Sequence, residues 1–98
     1  MDIQIRILVV DDEPKICHLI EELFKPEGYQ IDVSFSGIEA LQMLKRNEYQ
    51  MLITDLKMPG IDGLELIQKA KELNPEIRTI MVTGYITVDT AVQSLRHG

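Results

Sequence analysis

Three aspartates and a threonine stand out because each closes or follows a short apolar run. Asp11 and Asp12 come directly after Leu8-Val9-Val10, Asp55 after Leu52-Ile53-Thr54, and Thr83 after Ile80-Met81-Val82. Carboxylates brought together repel one another, by about 4 kcal/mol for a pair about 4 Å apart at an effective dielectric of about 20. Such a group either takes up a cation or holds a proton above the usual carboxylate range. The candidate donors are all hard oxygens, with no His or Cys among them, which suits magnesium or manganese better than zinc. A divalent cation beside a carboxylate and a hydroxyl suits phosphoryl chemistry, the metal neutralising phosphate oxygens and one aspartate serving as nucleophile. The plainer reading is that acidic residues at strand ends are solvated caps. A lone aspartate would deserve that reading, whereas three on one crevice would not.

Convergence depends on the elements that carry these residues. Ile5-Arg6-Ile7-Leu8-Val9-Val10 is a nearly continuous β-branched run, the pattern of a strand buried on both faces. Pro14 suits the first helical position, and Ile16, Leu19, Ile20, Leu23 and Phe24 then recur at helical spacing until Pro26-Glu27-Gly28. Ile31, Val33 and Phe35 alternate with Asp32 and Ser34, which predicts a half-exposed edge strand. Ser36 and Glu39 make a capping box before Ala40, Leu41 and Leu44. Met51-Leu52-Ile53-Thr54 is a further buried strand, and Asp62 with Glu65 caps a helix whose buried face is Leu66, Ile67, Ala70 and Leu73. Thr79-Ile80-Met81-Val82-Thr83 is a fourth strand. Thr87 caps a last helix with Val88, Ala91, Val92 and Leu95 inside.

Strict βαβα alternation predicts an α/β fold, a doubly wound parallel sheet with right-handed crossovers and helices on both faces. One edge-like strand, the second, fits the order 2-1-3-4. Ligands of such sheets gather beyond the carboxyl ends of the strands, where the order reverses. That point lies between the first and third strands, the two that deliver Asp11, Asp12 and Asp55.

Composition narrows the partners. The 98 residues suffice for one domain, with 45% apolar and 27% charged residues, so a disordered tail is excluded. A net charge of -6 disfavours direct binding of nucleic acid and docking on anionic lipid. Cys17 is the single cysteine, which excludes an internal disulfide. The start lacks the basic and apolar pattern of a secretion signal, and no stretch is long enough to span a membrane. A soluble, cytoplasmic domain is expected. Cys17 and His18 read as a packing residue and a solvated residue of the first helix. His97 reads as a helix-end cation, Tyr85 as a loop aromatic, and Lys45-Arg46 as a solvated face.

Leu8-Val9-Val10-Asp11-Asp12-Glu13-Pro14, then Thr54-Asp55-Leu56-Lys57-Met58-Pro59-Gly60-Ile61-Asp62-Gly63, then Met81-Val82-Thr83-Gly84-Tyr85 resembles a response regulator receiver domain, in register along the whole chain. The resemblance implies a flavodoxin-like fold and a two-component phosphorelay in which a sensor histidine kinase donates phosphate to Asp55 with Mg2+. It implies Asp12 and Asp55 as direct metal ligands, Asp11 acting mainly through water, and the backbone carbonyl of Lys57 completing the site. Thr83 matches the hydroxyl residue that meets the phosphoryl group. The wording around Lys57 and Thr83 is similar to receivers of enhancer-binding transcription activators, which implies an output domain in the parent protein.

One departure is large. The family has a fifth strand carrying a lysine, and a fifth helix, and these 98 residues match neither. The chain, residues 1–98, therefore reads as a receiver domain that is incomplete at its C-terminus. Two readings stay open: a phosphoacceptor switch that catalyses its own phosphorylation and dephosphorylation, or a receiver-fold interaction module without efficient phosphorylation. An Asp-nucleophile phosphatase is a distant third, since Leu56-Lys57 follows Asp55 where such enzymes need a second aspartate. An uncovered fourth strand predicts self-association, as a homodimer or by exchange of elements.

Overall fold

The computed structural model describes residues 4–82. Thr83, Tyr85, His97 and the expected last helix lie outside the described residues. Strand β1 (Arg6–Val10) leads into helix α1 (Pro14–Phe24), which tightens into a 3-10 turn at Lys25–Glu27 and stops at Gly28. Gly28 has φ +87°, a left-handed conformation open to glycine at no steric cost. Then follow β2 (Gln30–Ser34), α2 (Gly37–Arg46), β3 (Met51–Asp55), α3 (Gly63–Leu73) and β4 (Arg78–Val82).

All pairings are parallel and the strand order is β2-β1-β3-β4, as the alternation predicts. The register sets Val10 beside Thr54, so β1 and β3 end side by side and release their aspartates at one place. Alternate residues of the central strands feed two cores. Ile7, Val9 and Ile53 pack with Cys17 beneath α1, while Leu8, Val10 and Leu52 pack with Ala40, Leu44, Leu66 and Ala70 beneath α2 and α3. Each fully buried Leu, Ile or Val contributes about 1.5–3 kcal/mol, and this double-sided burial holds the strand ends in place.

The helix starts predicted at Pro14, Ser36 and Asp62 form, and the one at Thr87 lies outside the described residues. The Ser36 hydroxyl accepts the Glu39 N–H at 3.1 Å, and the Asp62 carboxylate accepts the Glu65 N–H at 2.8 Å. Several expected faces differ. Leu19 and Leu23 of α1 and Leu73 of α3 are exposed, and Cys17 occupies the buried position of α1. α1 meets the sheet through Cys17, Ile20 and Phe24, and Leu19 and Leu23 lie off that stripe. β2 is the half-buried edge strand expected, with Ile31 and Val33 packed on the core, but its end departs: Ser34 is fully buried and Phe35 is exposed. Hydrogen bonds make that burial tolerable, with the Ser34 hydroxyl donating to the Ser36 carbonyl at 2.9 Å. β4 is half-buried along most of its length and is the outermost strand among the described residues, as the order 2-1-3-4 requires.

Candidate functional site

Asp11 and Asp12 follow β1, Asp55 ends β3, and one carboxylate oxygen from each lies within 4.8 Å of the others. The periodicity argument thus holds for all three. Their surroundings differ: Asp11 is buried, Asp55 half-buried and Asp12 exposed. The Asp11 N–H donates to the Ser34 carbonyl at 3.2 Å, which ties the acidic turn to the end of β2. Its carboxylate accepts the Glu13 N–H at 2.9 Å, and the Asp55 carboxylate accepts the Leu56 N–H at 2.8 Å. Both side chains are therefore aimed by the backbone that follows them.

Electrostatics bear out the cost expected of the cluster. Burial, followed by the negative charges of Asp55 and Asp12, pushes the Asp11 carboxyl up to about 6, against an opposing hydrogen bond from Glu13. The Cys17 thiol, buried beside this turn with its Sγ 3.5 Å from the Asp11 carbonyl, is pushed up to about 11 by burial and then by the Asp11 charge. It stays a protonated packing group, as its position predicts. Among the described residues the only ion pairs join Arg6 to Asp32 and His18 to Glu21, so no basic side chain neutralises the trio. Lys57 is exposed and forms neither of them. Three converging carboxylates with hard oxygen donors and no internal cation fit a divalent ion of the magnesium class.

The loop from Asp55 to α3 is shaped by glycines. The Gly63 N–H donates to the Leu56 carbonyl at 2.8 Å, closing the loop, and a Cβ on Gly63 would collide with the Asp55 carbonyl. Gly60 turns with φ +82°, and Met58 is buried in the core below. Thr54, also buried, donates its hydroxyl to the Asp55 carbonyl at 3.0 Å. Ser34, Gly37 and Thr54 were not singled out by chemistry-bearing type. One signal for Gly37 is in the sequence: it directly follows a cap residue at a helix start, as Gly63 does.

The comparisons agree with this geometry. A family model described as the response regulator receiver domain matches residues 7–98. The chain is 34% identical over 93 residues to sporulation initiation phosphotransferase F of Bacillus subtilis, covering 95% of this chain and 75% of that protein. It is 34% identical over 95 residues to the transcriptional regulatory protein ZraR of Klebsiella oxytoca, covering 97% of this chain but only 21% of that one, about a fifth of its length. Among solved structures, response regulator protein TrrA of Thermotoga maritima, in complex with Mg2+-BeF, superposes with a TM-score of 0.78 at 41% identity, over 84% of this chain and 71% of that one. TrrA has also been solved in complex with the histidine kinase ThkA. Fold order, acidic site and relatives agree: the chain belongs to the response regulator receiver domain family.

Proposed function

We propose that this domain is a phosphoacceptor switch that takes a phosphoryl group onto Asp55 from the phosphohistidine of a sensor histidine kinase. The observation that carries the reading is the trio Asp11, Asp12 and Asp55, within 4.8 Å and without a basic partner among the described residues. An Asp55 carboxylate oxygen forms the new O–P bond as the donor N–P bond breaks, and the leaving imidazole takes up a proton. Asp12 and Asp55 would hold Mg2+ directly, Asp11 would act through water, and the Lys57 carbonyl would complete the donor set. Bound there, Mg2+ supplies positive charge that neutralises phosphate oxygens. Thr83 offers its hydroxyl to the phosphoryl group, so Thr83→Ala permits labelling and alters the response. TrrA, solved with Mg2+-BeF and with a histidine kinase, supports both the metal and the donor. ZraR supports an output domain that regulates transcription, with this acidic domain itself making no direct contact to nucleic acid. The cytoplasm, where such kinases present their phosphohistidine, is the proposed location. No helix of the described residues is long and apolar enough to cross a membrane.

Incubation with acetyl phosphate and Mg2+, followed by intact-mass spectrometry, tests the reading. One phosphate-sized mass gain, absent in Asp55→Asn, is the expected result. No gain in the parent chain would leave the interaction-module reading in its place.

A further inference from the structure

Gly37 belongs to none of the acidic or hydroxyl positions, yet it sits where two parts of the site meet. It is buried at the first turn of α2, and an added Cβ would lie 2.5 Å from the Ile61 carbonyl oxygen and 3.0 Å from the Ile61 Cβ. Ordinary contact begins at 3.4 Å, so backbone must shift by close to an ångström. No rotamer change relieves a collision with a carbonyl.

Whichever side yields, it is connected by hydrogen bonds or close packing to a residue of the acidic trio. The start of α2 is pinned by the Ser36 cap, by the Ser34 hydroxyl on the Ser36 carbonyl at 2.9 Å, and by the Asp11 N–H on the Ser34 carbonyl at 3.2 Å. Moving α2 therefore pulls on Asp11. Ile61 immediately precedes Asp62 and Gly63, and Gly63 packs on the Asp55 carbonyl while bonding Leu56 at 2.8 Å. Moving the loop therefore presses on Asp55.

We infer that Gly37 is a positioning residue for the phosphoacceptor site: its bare α-carbon lets α2 bear on the Ile61 carbonyl, and that contact sets the spacing between Asp11 and Asp55. The inference rests on the function proposed above. A group acting through the ligands' supports changes metal affinity by about tenfold or more when altered, even where the ligands remain. Gly28 supplies the control. It has φ +87° with nothing within 4 Å of an added Cβ, and it precedes β2 at the end of the sheet away from the aspartates. Gly28→Ala is thus destabilising through backbone strain alone.

The experiment is a Mg2+ titration followed by backbone amide NMR shifts, with thermal melting of the same samples. The variants are Gly37→Ala, Gly28→Ala and the double Gly37→Ala/Ile61→Gly, beside the parent. Gly37→Ala should weaken Mg2+ about tenfold and shift the amides of residues 55–63 and Asp11. Gly28→Ala should lower the melting temperature and leave Mg2+ affinity at the parent value. The double variant, with a loop free to give way, should recover most of the affinity. Parent-like Mg2+ binding in a folded Gly37→Ala overturns the inference, as does equal weakening by both glycine variants. Should Gly37→Ala fail to fold, a folded double variant with parent-like affinity supports the contact and an unfolded one refutes it. A parent that takes no Mg2+ would sink the functional reading instead, while the amide shifts of residues 55–63 still decide whether Gly37 positions that loop.

Discussion

Asp32 and the acidic trio lie in one sheet and are treated in opposite ways. Asp32, in the middle of β2, receives the Arg6 guanidinium at 2.9 Å and the Tyr49 hydroxyl at 2.6 Å. Arg6 also lies over the Tyr49 ring, 5.1 Å from its centroid. Burial, and then the bond to Asp32, hold the Tyr49 hydroxyl protonated well above its usual range. Every carboxylate of the trio, by contrast, lacks a cation among the described residues, and the buried one, Asp11, is held up to about 6. The chain can neutralise a carboxylate from within where the fold requires it. At the switch point no basic side chain among the described residues does so, in keeping with the proposed metal site. One cluster is closed within the fold, the other is the proposed ligand site.

The sharpest break between them is Asp55→Asn. It keeps the Leu56 N–H bond through its amide oxygen and removes the nucleophile, so phosphate labelling should vanish while melting changes little. Residual labelling at the parent level in that variant, seen by intact-mass spectrometry, would move the acceptor elsewhere. Next comes Asp12→Asn, which removes a charged oxygen from an exposed position and should weaken Mg2+ by about 10–100-fold without loss of stability. Isothermal titration reads this directly, and an unchanged affinity would take Asp12 out of the metal site.

Asp32→Asn should do the reverse. It strips the partner from Arg6, whose Nε is already buried without a hydrogen bond, and should cost about 2–3 kcal/mol in urea unfolding. Mg2+ affinity should stay at the parent value. If Asp32→Asn weakened Mg2+ as much as Asp12→Asn does, the two clusters would be one coupled network and the contrast would fail.

How much of this was legible beforehand follows from the kind of signal each part leaves. The parallel order and the meeting of Asp11, Asp12 and Asp55 follow from apolar runs ended by acids, since β-branched runs buried on both faces have few alternatives. The capping contacts at Ser36 and Asp62 were equally plain, because they are local. Ser34 misled, since alternation alone assigns polar residues outward. Its burial depends on the Ser36 carbonyl, supplied by the turn beyond, while the partners of half-buried Asp32, Arg6 and Tyr49, come from other parts of the chain. Leu19 and Leu23 misled in the other direction, because periodicity marks an apolar stripe without saying how much of it a neighbour covers. Gly37 left only the faint mark of a glycine where a helix begins.

Asp11 gives the smallest effect and the one whose sign is most telling. Its folded-state value, about 6, lies above the ordinary 3.8, so the folded chain holds the proton more tightly than the unfolded one. Stability from this group is therefore fully present below about pH 4 and is lost as pH rises to about 6, then stays level. Asn at this position carries no charge and can still accept the Glu13 N–H. Without Mg2+, Asp11→Asn should raise stability at pH 7 by about 1–2 kcal/mol, less than the full linkage value of about 3 kcal/mol because water and counter-ions reach the exposed Asp12 beside it. The gain should disappear at pH 4, where the parent carboxyl is already protonated. With saturating Mg2+ the sign should reverse, since the ion supplies the missing charge and stabilises the parent preferentially. Urea unfolding at pH 4 and pH 7, with and without Mg2+, gives the four numbers needed. A loss of stability in Asp11→Asn at pH 7 without Mg2+ would mean that the trio is neutralised from within after all, as Asp32 is, and the contrast between the two clusters would have to be given up.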